Sequence, residues 1–579
     1  MTNSFSSLPT NLREALRRAA LDLPHRGIAI FDGRGRSCER RSYAELYQLA
    51  SASAARLAGL GVGRDEPVLV ALPTSWEWME AWFGLLLRGA WPVATSGAGA
   101  MAAAEAQFDK VDKVMAAIGA RHVVASEAFK AQAAEQGFSF ASEGVITVER
   151  LRGAPAAAGG AATGASDGDD VAFLQLTSGS TGLPRAVMIT HQGAIHNPVA
   201  SDEAMGAPFG EPMHHLTECM VSWLPLYHDM GLIGCLMLPI LCGLDTWLLR
   251  PETFLARPRL WLEHLGSHGA SFAPAPNFGY QLCVERIPAD TREGLDLRPW
   301  RGAFTGAEMV RPETTDAFCA AFEPHGFRAE SLRPCYGLAE GTLAVTFDLK
   351  ATGVRTLPAP AGTDAGFAMA EVVSNGVPIR DTSVRINAPD GSALPERAIG
   401  EVCIKGPGVF RGYYRDPEAT AATLKNGWFA TGDLGFLEGG ELYLTGRTKD
   451  LLIVHGHNIM PDEIERLADS VTGGGGLLRS AAFSVARGAA GEQAVVVVES
   501  ADSDPARLAE VGREIRVRIG RTMGLPLADL VFVRRGRIPR TTSGKMQRGE
   551  LRQRYLDGTL ERLHDREPEG RTPAKEPSR

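Results

Sequence analysis

Short β-branched or Leu-rich runs, EPVLVAL (66–72), HVVA (122–125) and VAFLQLTSG (171–179), alternate with Ala/Leu-rich stretches of helical character such as SYAELYQLASASAARLAGLG (42–61). An apolar run too short for a helix fits a strand buried on both faces. Such strands pair in parallel when helices cross over between them. The alternation therefore predicts an α/β chain built from βα units and layered sheets. At 579 residues the length leaves room for several compact units or for two large layered ones.

Charge and composition narrow the function classes. The chain carries 60 Lys+Arg against 68 Asp+Glu, a net charge of −8, which argues against a basic nucleic-acid footprint and a polybasic membrane anchor. Hydrophobic residues make up 44% and charged residues 22%, with 65 Gly and 35 Pro, the profile of a loop-rich globular protein. Eight cysteines, at 38, 219, 235, 242, 283, 319, 335 and 403, form no CxxC pair, so zinc and redox-motif readings lack support and reduced thiols in the cytoplasm are expected. The first twenty residues become an amphipathic segment carrying Arg13, Glu14, Arg17 and Arg18 and do not read as a secretory signal. The longest apolar run, residues 231–244, is shorter than the roughly 20 residues that span a bilayer, and reads as a buried core segment kinked at Pro239. The Gly/Ala-rich stretch 153–170 is expected to be a surface connector joining two lobes or sheets, and the charged, Pro-containing tail 564–579 to be disordered.

Residues 174–191, LQLTSGSTGLPRAVMITH, run an apolar strand into Thr177, Ser178, Gly179, Ser180, Thr181 and Gly182. Small residues let backbone N–H groups and hydroxyls converge on phosphate oxygens. A Walker A loop would place Lys and a hydroxyl residue after the second glycine and open a helix, whereas here Leu183, Pro184 and Arg185 follow. Alone, the segment reads as an anion cradle or as a Gly/Ser hairpin turn.

Six further segments follow: SWLPLYHDMGLIG (222–234), FTGAE (304–308), CYGLAEGT (335–342), WFATGDLGF (428–436), GRTKDLLIVHGHNIMPDEIE (446–465) and TTSGKMQR (541–548). In this order they resemble the adenylate-forming enzyme superfamily over about residues 10–560. PLYHDMGLIG, APNFGY, TGAE, YGLAEGTL and GKMQR…YLDGTL are most similar to fatty acyl-AMP ligases.

The resemblance implies a large multi-subdomain N-terminal domain (1–446) of layered sheets and helices, a hinge (447–450) pivoting on Lys449, and a small mobile α+β lid (451–563). It also implies two half-reactions: a carboxylate attacks the α-phosphate of ATP to give acyl-AMP and pyrophosphate, and a thiol then takes the acyl group. Thr177, Ser178, Gly179, Ser180, Thr181, Gly182 and Arg185 would line the phosphates, and Glu340 with Thr181 would hold Mg²⁺. Gly306, Ala307, Glu308, Tyr336 and Gly337 would border the adenine, and Asp433 and Arg447 the ribose. Lys545 would meet the substrate carboxylate and α-phosphate. The related ligases usually carry Lys and Gly where this chain has Arg185 and Ala186; charge is kept, but Arg is larger and forked, and Ala would resist a positive φ.

By the same resemblance Trp223, His228, Met230, Ile233, Asn277, Phe278 and Gly279 are pocket or gate residues, His228 orienting the acyl end or the carboxylate. The PNFGY segment offers no Asp for a substrate ammonium, which favours a fatty or related acid without an α-amine. The expected acceptor is the phosphopantetheine thiol of an acyl carrier protein acting in trans. The span 341–376 is shorter than the insertion usual in fatty acyl-AMP ligases, which leaves coenzyme A open as acceptor. A non-catalytic acyl-adenylate-binding protein is the alternative from another class.

Overall fold

The computed structural model describes residues 8–97, 104–157, 167–177, 184–217, 219–360, 371–454, 457–471, 480–486, 492–540 and 546–563. They form two compact units, the larger of residues 8–360 and 371–448, the smaller of residues 449–540 and 546–563.

The larger unit holds the predicted βα pattern. Its six-stranded sheet runs Val145–Thr147, His122–Ala125, Pro67–Ala71, Trp91–Ala94, Val171–Leu176, Ala186–Thr190. The first five strands are parallel, and the last turns back antiparallel on its neighbour. Pro67–Ala71 is buried along its whole length, as a central parallel strand requires. Helix Tyr43–Gly59 starts where Ser42 and Glu45 form a reciprocal capping box, the Ser42 amide donating to Glu45 Oε2 at 2.7 Å and the Glu45 amide to Ser42 Oγ at 3.2 Å. Helix Trp76–Arg88 starts at Ser75 and stops at Gly89, whose φ of 81° closes the last turn at no steric cost. A Cβ on Gly84 of the second helix would lie 2.3 Å from Ser53 Oγ of the first, so the two helices pack backbone-close only because this position is glycine.

A second sheet, ordered Cys38–Ser42, Gly27–Phe31, Asp245–Leu248, Cys219–Ser222, packs the N-terminal part against the middle of the chain. The third sheet positions the site. Phe272–Pro276, Gly302–Gly306 and Leu332–Gly337 run parallel, followed by antiparallel Ala344–Phe347 and Val377–Pro378. A fourth, antiparallel sheet is built from Ser383–Asn387, Gly400–Lys405, Trp428–Glu438, Leu424–Lys425 and Glu441–Arg447.

In the smaller unit, Ser480–Ala486, Glu492–Ser500 and Leu527–Arg534 form a mixed sheet. Helices Pro461–Val471, Pro505–Met523 and Arg548–Leu556 accompany it, giving α+β order. Ile464, Val496, Val498, Ile515 and Ile519 form its core. Arg548 is held there by three carboxylates, those of Glu465 (2.7 Å), Asp450 (3.2 Å) and Asp462 (3.2 Å).

One expectation meets a different outcome. The connector 153–170 leads from helix Val148–Gly153 to strand Val171–Leu176 within one sheet and does not link two lobes or sheets; its composition reports solvent exposure, which an intra-sheet crossing satisfies equally well. The apolar run 231–244 is buried helical structure as expected, with Met230–Met237 wound as a wide π-type helix that passes without a break into the α-helix Leu238–Cys242, and Pro239, which has no amide to donate, lies just after this change of winding. No helix among the described residues is long and apolar enough to cross a membrane. The tail 564–579 lies outside the described residues.

Candidate functional site

The three parallel strands of the third sheet end at Pro276, Gly306 and Gly337, and residues in or next to their carboxyl-terminal halves, Pro274, Phe304, Ala307, Cys335, Tyr336 and Gly337, line one cavity. The carboxyl ends of parallel strands are where an open α/β sheet can accept a ligand. Measured to its open mouth the cavity encloses about 630 Å³. Its apolar wall comes from Met205, Met220, Met230, Leu238, Pro274, Phe304, Leu343 and Phe347, and its polar rim from Ser201, His228, Asp229, Ala307, Tyr336 and Gly337. Met side chains suit a wall that must fit a flexible chain. Cys335 also lines it, and burial pushes that thiol up to about 12, so it stays protonated at neutral pH.

Two backbone positions in the turns that follow these strands are unusual. Ala307 has a φ of 67° and Thr342 a φ of 68°, both left-handed and both without the freedom of glycine. Gly337 must remain glycine, because a Cβ there would fall 1.9 Å from the Leu343 carbonyl oxygen.

Tyr336, Asp433 and Arg447 meet at one corner. The Tyr336 hydroxyl donates to Asp433 Oδ2 at 2.6 Å, and Arg447 Nε lies 2.8 Å from Asp433 Oδ1. Asp433 and Arg447 are paired across neighbouring antiparallel strands, which fixes this geometry by register. Burial, then the Asp433 charge, holds the Tyr336 phenol well above its ordinary value, so it is a donor at any physiological pH.

Glu340 sits in the turn Ala339–Gly341 beyond the same strand. Asn197 fixes this turn: its Nδ2 donates to the carbonyls of Gly341 (3.1 Å) and Ala344 (2.8 Å), and its Oδ1 accepts from the Ala344 amide (3.1 Å). The Tyr413 hydroxyl donates to Glu340 Oε1 at 2.8 Å. Burial raises the Glu340 proton affinity, the Tyr413 bond opposes this, and the charges of Asp229 and Asp433 add to the rise. Among the described residues no Lys or Arg forms an ion pair with Glu340. A carboxylate in an acidic surrounding with open acceptor sites and hard oxygen chemistry fits a divalent cation such as Mg²⁺.

The phosphate-loop motif spans the tip of the hairpin formed by Val171–Leu176 and Ala186–Thr190. Thr177 is described at its entrance, its amide donating to the Arg185 carbonyl at 3.0 Å. Ser178, Gly179, Ser180, Thr181 and Gly182 lie outside the described residues, as does Lys545. Arg185 rests over the Tyr413 ring, 5.0 Å from its centroid, with Nε 3.7 Å from Asp416 Oδ2. Ala186 opens the returning strand opposite Leu176 and is not among the residues with positive φ, so alanine at this position is unstrained.

Of the acyl-pocket candidates, Met230 lines the cavity together with His228, whose Nδ1 lies 2.6 Å from Asp229 Oδ1. Ile233 is fully buried outside the lining. Trp223 stacks on Phe254 (centroids 3.8 Å apart, 6° between planes) with Phe278 edge-on at 5.7 Å, and a Cβ on Gly279 would reach 2.9 Å from the indole. Trp223, Phe254 and Phe278 form an aromatic cluster, none of them in the cavity lining. Asn277 is buried, accepting the Arg311 amide at 3.1 Å. Glu308 caps helix Asn277–Arg286, its Oε1 accepting the Phe278 amide at 2.6 Å, while Gly306 lies against Cys335, with its missing Cβ position 2.8 Å from the Cys335 carbonyl oxygen. Lys449 is exposed at the first position of the smaller unit. Asn197 and Tyr413 had no motif to mark them. Their partners lie 144 and 73 positions away in the chain.

The family model described as AMP-binding enzyme matches residues 16–414. A putative acyl-CoA synthetase of Caulobacter vibrioides is 33% identical over 96% of this chain and 97% of its own length. The long-chain-fatty-acid–AMP ligase FadD26 of Mycobacterium tuberculosis is 37% identical over 68% of this chain and 71% of its own. A solved structure from work on fatty acyl-adenylate ligases of E. coli and L. pneumophila superposes with a TM-score of 0.83 at 30% identity, covering 95% of this chain and 98% of that one. A fatty acyl-adenylate ligase of L. pneumophila in complex with acyl adenylate and pyrophosphate gives 0.70 at 29%, covering 96% and 99%. With seven motifs in order, parallel strands ending at one cavity and a family model covering well over half its length, the chain belongs to the AMP-binding enzyme family, the adenylate-forming superfamily that its motifs resemble.

Proposed function

We propose that this protein activates a fatty or related carboxylic acid with ATP, releasing pyrophosphate and forming acyl-AMP, and then passes the acyl group to the phosphopantetheine thiol of an acyl carrier protein. The observation that carries this reading is an apolar, methionine-lined cavity whose lining includes Tyr336 of the Tyr336–Asp433–Arg447 corner and Asp229, with the charges of Asp229 and Asp433 acting on Glu340.

In this reading the cavity wall excludes water from the acyl chain, and the carboxylate is presented at the rim near His228 and Ala307. Asp433 and Arg447 take the ribose, and the rim from Gly306 to Glu308 with Tyr336 and Gly337 borders the adenine. The hydroxyls of Thr177, Ser178, Ser180 and Thr181, the backbone of Gly179 and Gly182, and the Arg185 guanidinium hold the phosphates. A carboxylate is a weak nucleophile meeting a polyanion, so the site must offset negative charge on both reactants and on the departing pyrophosphate. Lys545 does so at the carboxylate and α-phosphate. Glu340 and Thr181 hold Mg²⁺, which when bound supplies positive charge to the phosphate oxygens. The carboxylate oxygen bonds to the α-phosphorus as the bond to the bridging oxygen of pyrophosphate breaks; in the second half-reaction the thiolate sulfur bonds to the acyl carbon and AMP leaves. The hinge at 447–450, pivoting on Lys449, lets the lid 451–563 serve both steps in turn. The work is done in the cytoplasm, where ATP and carrier protein are both available.

The relatives' names divide between AMP ligase and CoA synthetase, so acceptor choice is the point to measure. Purified protein is incubated with ATP, Mg²⁺ and a panel of fatty acids, first alone and then with coenzyme A or holo carrier protein, and products are read by mass spectrometry. Acyl-AMP without acceptor and acyl-carrier thioester with it are expected. Acyl-CoA as the dominant thioester would replace the carrier protein by coenzyme A, and no acyl-AMP with any acid would refute the activation step.

A further inference from the structure

The segment 408–414 belongs to none of the recognised motifs, yet it touches two functional elements of the site. On one side it is sewn to the strand that returns from the phosphate loop. The Arg411 amide donates to the Met188 carbonyl (3.0 Å), the Met188 amide to the Gly412 carbonyl (3.0 Å), and the Tyr414 amide to the Ala186 carbonyl (2.8 Å). On the other side it holds the turn that carries Glu340. The Phe410 amide donates to the Glu340 carbonyl (2.8 Å), the Thr342 hydroxyl to the Gly408 carbonyl (2.6 Å), and the Tyr413 hydroxyl to Glu340 Oε1 (2.8 Å).

Tyr413 is the centre of this strap. It is 5% exposed, its ring meets Phe410 edge-on at 4.8 Å, and Arg185 from the end of the phosphate loop lies over it. Its own amide donates to Thr420 Oγ1 at 2.9 Å, so backbone, ring and hydroxyl are all fixed. A carboxylate that binds a metal ion must present the right lone pair. A donor bonded to one oxygen sets the rotation of the group and leaves the other acceptor sites for the cation. Glu340 receives that donor from Tyr413.

We infer that Tyr413 is a positioning residue that aims the Glu340 carboxylate at the metal ion of the nucleotide complex and ties that aim to the strand leaving the phosphate loop. The inference rests on the proposed role of Glu340 in holding Mg²⁺. Tyr413 touches neither nucleotide nor metal; it acts through the carboxylate. Loss of an orienting partner of a metal ligand commonly costs about tenfold or more in metal affinity, and the hydroxyl can be removed without changing the ring.

The test measures binding of α,β-methylene ATP by calorimetry in Mg²⁺ and in EDTA, for the wild type, Tyr413→Phe, Glu340→Gln and the double variant. For Tyr413→Phe the half-saturating Mg²⁺ concentration should rise about tenfold, while nucleotide affinity in EDTA stays within twofold of the wild type. The double variant should show no Mg²⁺ dependence beyond that of Glu340→Gln, because the two residues act as one unit. An unchanged Mg²⁺ requirement in Tyr413→Phe, or equal weakening in Mg²⁺ and EDTA, overturns the inference while leaving Glu340 in its role. A Glu340→Gln variant with wild-type Mg²⁺ dependence overturns the role of Glu340 and, with it, the inference. Should Tyr413→Phe unfold, Thr342→Val, which removes only the bond to Gly408 at the other end of the strap, is expected to raise the Mg²⁺ requirement in the same direction; no change in that variant overturns the coupling.

Discussion

Asp433 is a buried carboxylate whose two oxygens are both engaged, by Tyr336 and by Arg447. Its neighbours therefore hold it oriented without any ligand. Lys545 is the opposite kind of residue, a single long cation in a run of small and hydroxyl residues, TTSGK, that gives it reach but no fixed partner by sequence. If it meets the carboxylate and α-phosphate, Lys545→Ala is expected to lower acyl-AMP formation by about 10²-fold, as loss of a transition-state charge donor does, with a smaller loss in acyl transfer from supplied acyl-AMP. Pyrophosphate release and thioester formation, measured separately, check this; normal pyrophosphate release would remove Lys545 from the adenylation step. At this scale the sequence marks residues where chemistry demands a type in a pattern, as in TGDLG, whose Asp433 the fold brings against Tyr336 and Arg447. It was silent on Tyr413 and Asn197, since one phenol and one amide acquire roles only through partners that folding brings from distant positions.

Among the elements, the helix His191–Gly206 links packing to pH. Its first residue, His191, is 3% exposed and its Nδ1 accepts the Leu12 amide at 3.3 Å, tying the N-terminal helix Leu12–Asp22 to the end of the phosphate hairpin's return strand. Burial, reinforced by the charge of Arg13, lowers this imidazole from 6.5 to about 3. The unfolded chain takes up a proton that the folded site refuses, so stability falls as pH drops below about 6.5 and continues to fall until the folded group protonates near 3. The slope should approach about 1.4 kcal/mol per pH unit for this one group. Urea unfolding between pH 7 and pH 4 is expected to show that dependence, reduced by about one proton in His191→Asn, which keeps an acceptor without titrating there; equal slopes would show that His191 does not carry it. The βα alternation was legible because strand and helix periods differ so plainly. The connector 153–170 was not, because composition reports exposure and says nothing of which strands a loop joins.

For the molecule as a whole, the boundary between the compact units falls between Thr448 and Lys449, inside the GRTKD segment. Proline would lock φ and remove the amide at that point. If the lid turns there between half-reactions, Lys449→Pro should leave acyl-AMP formation within about threefold of the wild type and slow thioester formation by about tenfold or more, a difference that single-turnover assays of each half-reaction resolve. Equal damage to both would dismiss the pivot. Overall organisation was readable from the order of motifs, whereas which of the candidate residues line the cavity, as Met230 does, and which pack elsewhere, as Trp223 does against Phe254, depends on packing that no local pattern encodes. The self-satisfied corner at Asp433 also bears on how sharply the enzyme can choose its nucleotide. A polar site that waits empty-handed punishes a substrate lacking one hydroxyl by stranding its partner, often by 10⁴-fold or more. Here the tyrosine and the arginine are at hand to reclaim the vacated oxygen, so, with the sugar bound at this aspartate, 2′-deoxy-ATP should be accepted with kcat/KM within about tenfold of ATP.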